Sequence, residues 1–248
     1  MGKKRPKTFN QAAAPLSEAE QALTGWGIAY TTEPGGKIVV EGDLSIKGKK
    51  LEVLPDLSGV IVRGSFDCSF NKLTTLKGAP CEVSGDFVCY TNRLTTLEGA
   101  PRKVGGSFQC GRNGLSTLKY APEEVGGSFS CGRNKLTSLE HGPRIVNMNY
   151  SCGDNMLPSL EHAPAAVKGD FWCKGNPLVS FEHAPAAFGK LVTDAGDFTN
   201  WDEVPEKYRY SPATRAAREE ASVIAATVLS RPLSVRRPLS LRRQLLQA

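Results

Sequence analysis

The sequence predicts a repeat solenoid, mostly β, in which each 21-residue rung contributes one parallel strand. Three observations predict it. Cys68, Cys89, Cys110, Cys131, Cys152 and Cys173 stand 21 residues apart. Asn71, Asn92, Asn113, Asn134, Asn155 and Asn176 keep the same interval. So do Leu73, Leu94, Leu115, Leu136, Leu157 and Leu178. One unit is thus written six times between Gly64 and Gly189, and a unit this short cannot bury its apolar face without stacking on its neighbours.

The unit from Gly106 to Gly126 shows what each part does. Phe108 and Cys110 alternate with Ser107, Gln109 and Gly111, the period-two pattern of a short strand with one buried face. Asn113 follows where the chain must turn; asparagine tolerates unusual dihedrals, and its amide can bond backbone groups of its own and neighbouring rungs. Leu115 and Leu118 point back into the core. Ala121-Pro122 sets an extended return arm, because proline removes a donor and disfavours helix at the residue before it. Val125 closes the core, and Gly126-Gly127 permits a tight entry into the next strand.

Around this array the chain divides in order. Residues 1–16 are basic and aperiodic, and are expected to be disordered. Residues 17–41 form an N-terminal cap. There Ser17 and Glu20 fit a capping box ahead of a short helix ended by Gly25 and Gly27, and Trp26, Ile28 and Tyr30 can cover the first rung. Gly35-Gly36 then turns the chain into a strand at 37–41. The solenoid occupies 42–189, with a degenerate first repeat at 42–63 and six regular repeats at 64–189. In the first, Leu44 and Ile46 hold the strand positions and Leu51 and Leu54 the later leucines; terminal repeats are atypical because they cap. Residues 190–210 form a C-terminal cap with a last strand near Leu191 to Phe198, which covers an otherwise sticky edge. Ser211-Pro212 starts a helix over 211–230. Residues 231–248 form a basic tail.

The chain has 248 residues and a net charge of +6. Lys3, Lys4, Arg5 and Lys7 at one end and Arg231, Arg236, Arg237, Arg242 and Arg243 at the other are nine cations without an acid, which leaves the body between them at −3. No run of 18 apolar residues and no cleavable leader pattern occur, so a cytoplasmic protein without membrane contact is expected. Six of the seven cysteines occupy an inward strand position. They predict a buried, reduced ladder, since in-register parallel side chains meet disulfide geometry poorly. A metal array would need Cys-x-x-Cys pairs or histidines at ligand spacing.

With these residues in hand, Phe-x-Cys-x-x-Asn-x-Leu-x-x-Leu resembles the strand half of a leucine-rich repeat. It is also similar to the Cys-x-x-Asn-x-Leu-x-x-Leu-x-Gly-Ala-Pro repeats of bacterial and bacteriophage proteins. The resemblance covers about half the chain and implies a leucine-rich-repeat-like solenoid of bacterial or phage origin. It departs from the usual pattern in placing cysteine and phenylalanine on the strand. Leucine-rich repeats share a scaffold rather than a chemistry, so what the resemblance implies is the fold and no particular reaction.

Function is sought on the outward strand positions. One column reads Asp67, Val88, Gln109, Ser130, Ser151 and Trp172; the next reads Ser69, Tyr90, Gly111, Gly132, Gly153 and Lys174, with Phe70, Thr91, Arg112, Arg133 and Asp154 beside it. Three glycines in succession leave a bare channel, walled by Arg112 and Arg133 and ended by Tyr90, Trp172 and Lys174. Such a channel suits an acidic peptide or a nucleic-acid strand; alternatively the glycines serve turn geometry and the arginines are solvated. His141, His162 and His183, each after a glutamate, form a second ladder, read either as a record of repeat duplication or as a metal- or pH-responsive row. The expectation is a non-catalytic protein–protein interaction module with no cofactor and no metal. Two alternatives remain: a nucleic-acid-binding accessory protein that uses the basic ends, and a structural subunit of a larger assembly such as a virion.

Overall fold

The computed structural model describes residues 16–209, so the expected basic N-terminus, the helix at 211–230 and the Arg231–Arg243 tail lie outside the described residues. Within them the chain is a β-solenoid of parallel rungs. Phe66–Asp67, Phe87–Val88, Phe108–Gln109, Phe129–Ser130, Tyr150–Ser151 and Phe171–Trp172 pair in register, with each Phe or Tyr opposite the next. With Leu44–Ser45 at one end and the strands Leu191–Thr193 and Gly196–Phe198 at the other, they make a nine-stranded sheet.

The return arm holds a second strand that the single-strand expectation did not include. Glu82–Val83, Lys103–Val104 and Glu124–Val125 pair in parallel and extend a six-stranded sheet begun by Thr31–Glu33, Lys37–Val40 and Val60–Val62. Val146 and Val167 continue its line as isolated bridges. In each arm only one valine faces inward, so the period-two signal is too short to read from sequence.

The core lies between the two sheets. The aromatic rings at the first strand position stack up the solenoid with centroids 5.2–5.9 Å apart, close enough for favourable offset contact. Beside them the six ladder cysteines are fully buried and unpaired. Leu73, Leu76 and their repeats as far as Leu157 and Leu160 fill the space opposite and are also buried, while Leu178 at the last rung is partly buried.

Two polar rows hold rung to rung, and a third fixes turns within each rung. Each asparagine Oδ1 accepts the N–H of the leucine one rung below, that of Leu94 by Asn113 at 3.0 Å for example, and its Nδ2 donates to the cysteine carbonyls of its own rung and the rung below, with Ile46 in place of a cysteine beneath Asn71. A second row, unremarked in the sequence, runs through Asp43, Ser65, Asp86, Ser107, Ser128 and Asn149, each accepting a backbone N–H of the next rung at 2.6–3.2 Å. A third, of Thr75, Thr96, Thr117, Ser138 and Ser159, closes a local turn in each return arm. The unusual dihedral expected at the asparagine falls instead on the residue before it: Phe70, Thr91, Arg112, Arg133 and Asp154 all have φ of 53–55° or 57°. The asparagine is left free to bond. The Gly126 position is explained by close approach, since a Cβ there would collide with the Gly105 carbonyl oxygen.

Both ends are covered. Ser17 and Glu20 form the capping box of a helix over Glu18–Gly25, whose Ala19 and Leu23 are buried on the core. Trp26, Ile28 and Tyr30 pack partly buried beside it. At the far end the expected last strand is a hairpin, Leu191–Thr193 paired antiparallel with Gly196–Phe198. Phe198 and Val204 seal it, with Trp201 stacked edge-on against Phe188.

Candidate functional site

The outward face of the nine-stranded sheet carries a groove of about 730 Å³. Tyr90, Arg112, Arg133, Trp172 and Lys174 all line it, together with Gly111, Gly132 and Gly153. The sequence-predicted residues are therefore brought to one place, because in-register rungs convert a 21-residue interval into a straight column. At about 4.8 Å per rung, the four steps from Tyr90 to Lys174 span roughly 19 Å.

The floor is bare for a structural reason as well. A Cβ at Gly111 would stand 2.9 Å from the Gly132 carbonyl oxygen, and one at Gly153 would stand 2.8 Å from that of Lys174. Glycine thus lets these rungs sit close and keeps side chains out of the channel. It is not a response to a positive φ, since none of the three is among the positive-φ glycines.

One wall follows from the left-handed position that precedes each asparagine. That backbone throws Arg112, Arg133 and Asp154 outward, all three exposed. The Arg133 guanidinium meets the Asp154 carboxylate at 3.2 Å. Arg112 and Lys174 have no acid partner among the described residues. The other wall is Gln109, Ser130 and Ser151, from the middle of the strands. Trp172 is 47% exposed, large for an indole in a folded protein.

The Tyr90 end is aromatic. Its ring meets Phe70 edge-on at 5.0 Å, and Lys47 lies 5.1 Å over the Phe70 ring. Phe70 is 47% exposed with φ of 55°. A bulky side chain in the left-handed region is costly, by about 1–3 kcal/mol, and here it gains only partial burial. Asp194, from the C-terminal hairpin, enters the lining at the other end and accepts the Gly175 N–H at 2.7 Å. Neither Lys47 nor Asp194 belongs to a regular repeat, so the period gave no signal for them.

The thiols beneath the groove are not nucleophiles. Burial pushes the Cys110 and Cys173 thiols up to about 12 and holds those of Cys89, Cys131 and Cys152 well above the usual cysteine range. A thiol must ionise to attack, and these are held protonated. Cys81 is the exposed cysteine, in a return arm, away from the groove lining.

The histidine row has a local explanation. Gly78, Gly99, Tyr120, His141 and His162 share one left-handed turn position, with φ of 66–96°; histidine is among the residues enriched there. His141 Nε2 lies 3.7 Å from Glu140 and His162 Nε2 3.8 Å from Glu161, so each faces its own neighbour. Among the described residues no group of three potential metal ligands comes together. No described helix is long and apolar enough to cross a membrane. No protein-family model, no curated protein and no solved structure matches this chain.

Proposed function

We propose that the protein is a non-catalytic binding module whose leucine-rich-repeat-like solenoid presents the groove between Tyr90 and Lys174 to a protein partner. One observation carries the proposal: a side-chain-free floor three rungs long is flanked by the exposed Trp172 and the half-buried Tyr90 and by two cations without acid partners among the described residues. Large amphipathic rings and arginine are the residues that anchor partners when desolvated. The groove is shallow and built on rigid strands, which favours a preorganised contact over a reacting centre. The place of action we propose is the cytoplasm of a bacterial host or a phage particle made there, in keeping with the repeat's likeness to bacterial and phage proteins.

The test is affinity capture with the full chain from the cell that makes it, after nuclease treatment and at two salt concentrations, beside Trp172→Ala and Arg112→Glu. A single stoichiometric protein that survives nuclease and salt, and is lost with either variant, supports the reading. Recovery of nucleic acid alone, removed by salt, would replace it with a phosphate-binding role. A partner held equally by both variants would move the function off this groove.

A further inference from the structure

The groove floor has a property beyond its shape. The carbonyls of Tyr90, Gly111, Gly132, Gly153 and Lys174 accept the N–H groups of Phe70, Thr91, Arg112, Arg133 and Asp154, at 2.8–3.2 Å. The backbone N–H groups of those same five residues find no acceptor among the described residues. Five consecutive rungs therefore present donors and no free acceptors. One rung before them, at Ser69 of the same column, the donor is met: Asp67 Oδ1 accepts the Ser69 N–H at 2.8 Å.

Asp67 occupies the outward strand position two residues earlier. In the following rungs Val88, Gln109, Ser130, Ser151 and Trp172 hold that position, and none of them caps its column's N–H. The chain itself thus shows which chemical group this column takes, a carboxylate oxygen lying over the strand, and supplies it once. Bonds from backbone N–H to a carboxylate are charge-assisted and about twice as strong as neutral ones. Arg112 and Lys174 stand at the same channel without acid partners among the described residues.

Resting on the reading of the groove as a protein-binding surface, we infer that it takes an acidic, extended segment of the partner, laid along the solenoid axis. Its carboxylates accept from the N–H groups of Gly111, Gly132 and Gly153 and pair with Arg112 and Lys174. The roughly 19 Å span admits about six extended residues. The Asp67 cap of the same column favours a carboxylate over a phosphate strand as the occupant, while Asp154 and Asp194 within the lining repel either anion.

The experiment is an amide NMR titration of the full chain with an end-blocked hexaglutamate peptide, with hexaserine and oligothymidylate in parallel. A triple variant, Gln109→Asn, Ser130→Asn and Ser151→Asn, copies the Asp67 acceptor without adding charge. The expected result is a downfield shift of the Gly111, Gly132 and Gly153 amide protons with hexaglutamate alone, reversed by salt. The triple variant, folded by its spectrum, should bind at least about tenfold more weakly. Unmoved glycine amides, a response to oligothymidylate in place of the peptide, or undiminished binding by the triple variant each overturns the inference. If a captured partner depends on Trp172 while hexaglutamate leaves the glycines unmoved, the binding module stands and its acid chemistry falls. If no capture depends on the groove, the module reading falls first.

Discussion

Two rows of backbone N–H groups run side by side up this solenoid and meet opposite fates. At Leu51, Leu73, Leu94, Leu115, Leu136 and Leu157 each N–H is met by an asparagine Oδ1 from the next rung, at 3.0–3.1 Å. At Tyr90, Gly111, Gly132, Gly153 and Lys174 none is met among the described residues. The first row faces the interior, where an unpaired donor costs about 1–3 kcal/mol and the fold cannot leave it open. The second faces a groove where water or a ligand can serve. The difference separates what the repeat needs in order to stack from what it leaves available for binding.

The contrast can be broken or sharpened at several places. The largest effect is expected from alkali, which acts on the buried interior and spares the groove. Unfolded thiols ionise near pH 8.5, whereas burial raises the folded Cys110 and Cys173 to about 12. A raised folded value means the stabilisation is complete below about pH 8.5 and is lost as pH climbs toward the folded value. Urea unfolding at pH 7.5 and at about 10.5 should show a collapse in midpoint; an unchanged midpoint would mean that the thiols are hydrated.

Next in size is Asn113→Ala. It strands the Leu94 N–H and takes one of two donors from the Cys89 and Cys110 carbonyls, which keep Asn92 and Asn134, and should cost about 2 kcal/mol in chemical denaturation. A cost below about 1 kcal/mol would show that the ladder is ornamental.

A smaller effect marks the one rung where the interior is itself imperfect. Tyr150 replaces phenylalanine there, and its buried hydroxyl, against the Cys131 thiol, makes no full hydrogen bond. Gly142 replaces the alanine of other rungs, and a Cβ there would stand 3.1 Å from that hydroxyl. Tyr150→Phe should stabilise by about 1 kcal/mol. Gly142→Ala, whose Cβ would also meet the Leu139 carbonyl oxygen at 3.0 Å and Leu118 Cδ1 at 3.1 Å, should destabilise the natural chain more than the Tyr150→Phe background, a double-mutant cycle read by thermal melts. Additive effects would dissolve the pairing. The smallest effect belongs to the groove: Arg112→Ala and Trp172→Ala should each shift stability by no more than about 0.5 kcal/mol while weakening the partner.

How much of this was legible follows from the same contrast. The asparagine row was readable because one residue type repeats at each rung. The row through Asp43, Ser65, Asp86, Ser107, Ser128 and Asn149 does the same work but changes side chain from rung to rung, so identity conceals its period. The left-handed residue was expected at the asparagine and lies one position earlier, where Phe70, Thr91, Arg112, Arg133 and Asp154 have no chemistry common to all five. Their common backbone is visible only in three dimensions. The groove was legible because three successive glycines leave a gap in a column, and in-register stacking brought Tyr90, Arg112, Arg133, Trp172 and Lys174 to it. That its floor consists of unmet donors was not, although Asp67, the one acid in its column, is the trace of it in the sequence.

The most direct measurement is amide hydrogen exchange on the free chain, comparing Leu94, Leu115 and Leu136 with Gly111, Gly132 and Gly153. The leucine amides should exchange only through global unfolding, and the glycine amides orders of magnitude faster, from the folded state. Glycine amides as slow as the leucines would mean that the groove donors are already engaged within the solenoid, and the separation between stacking and binding rows would not hold.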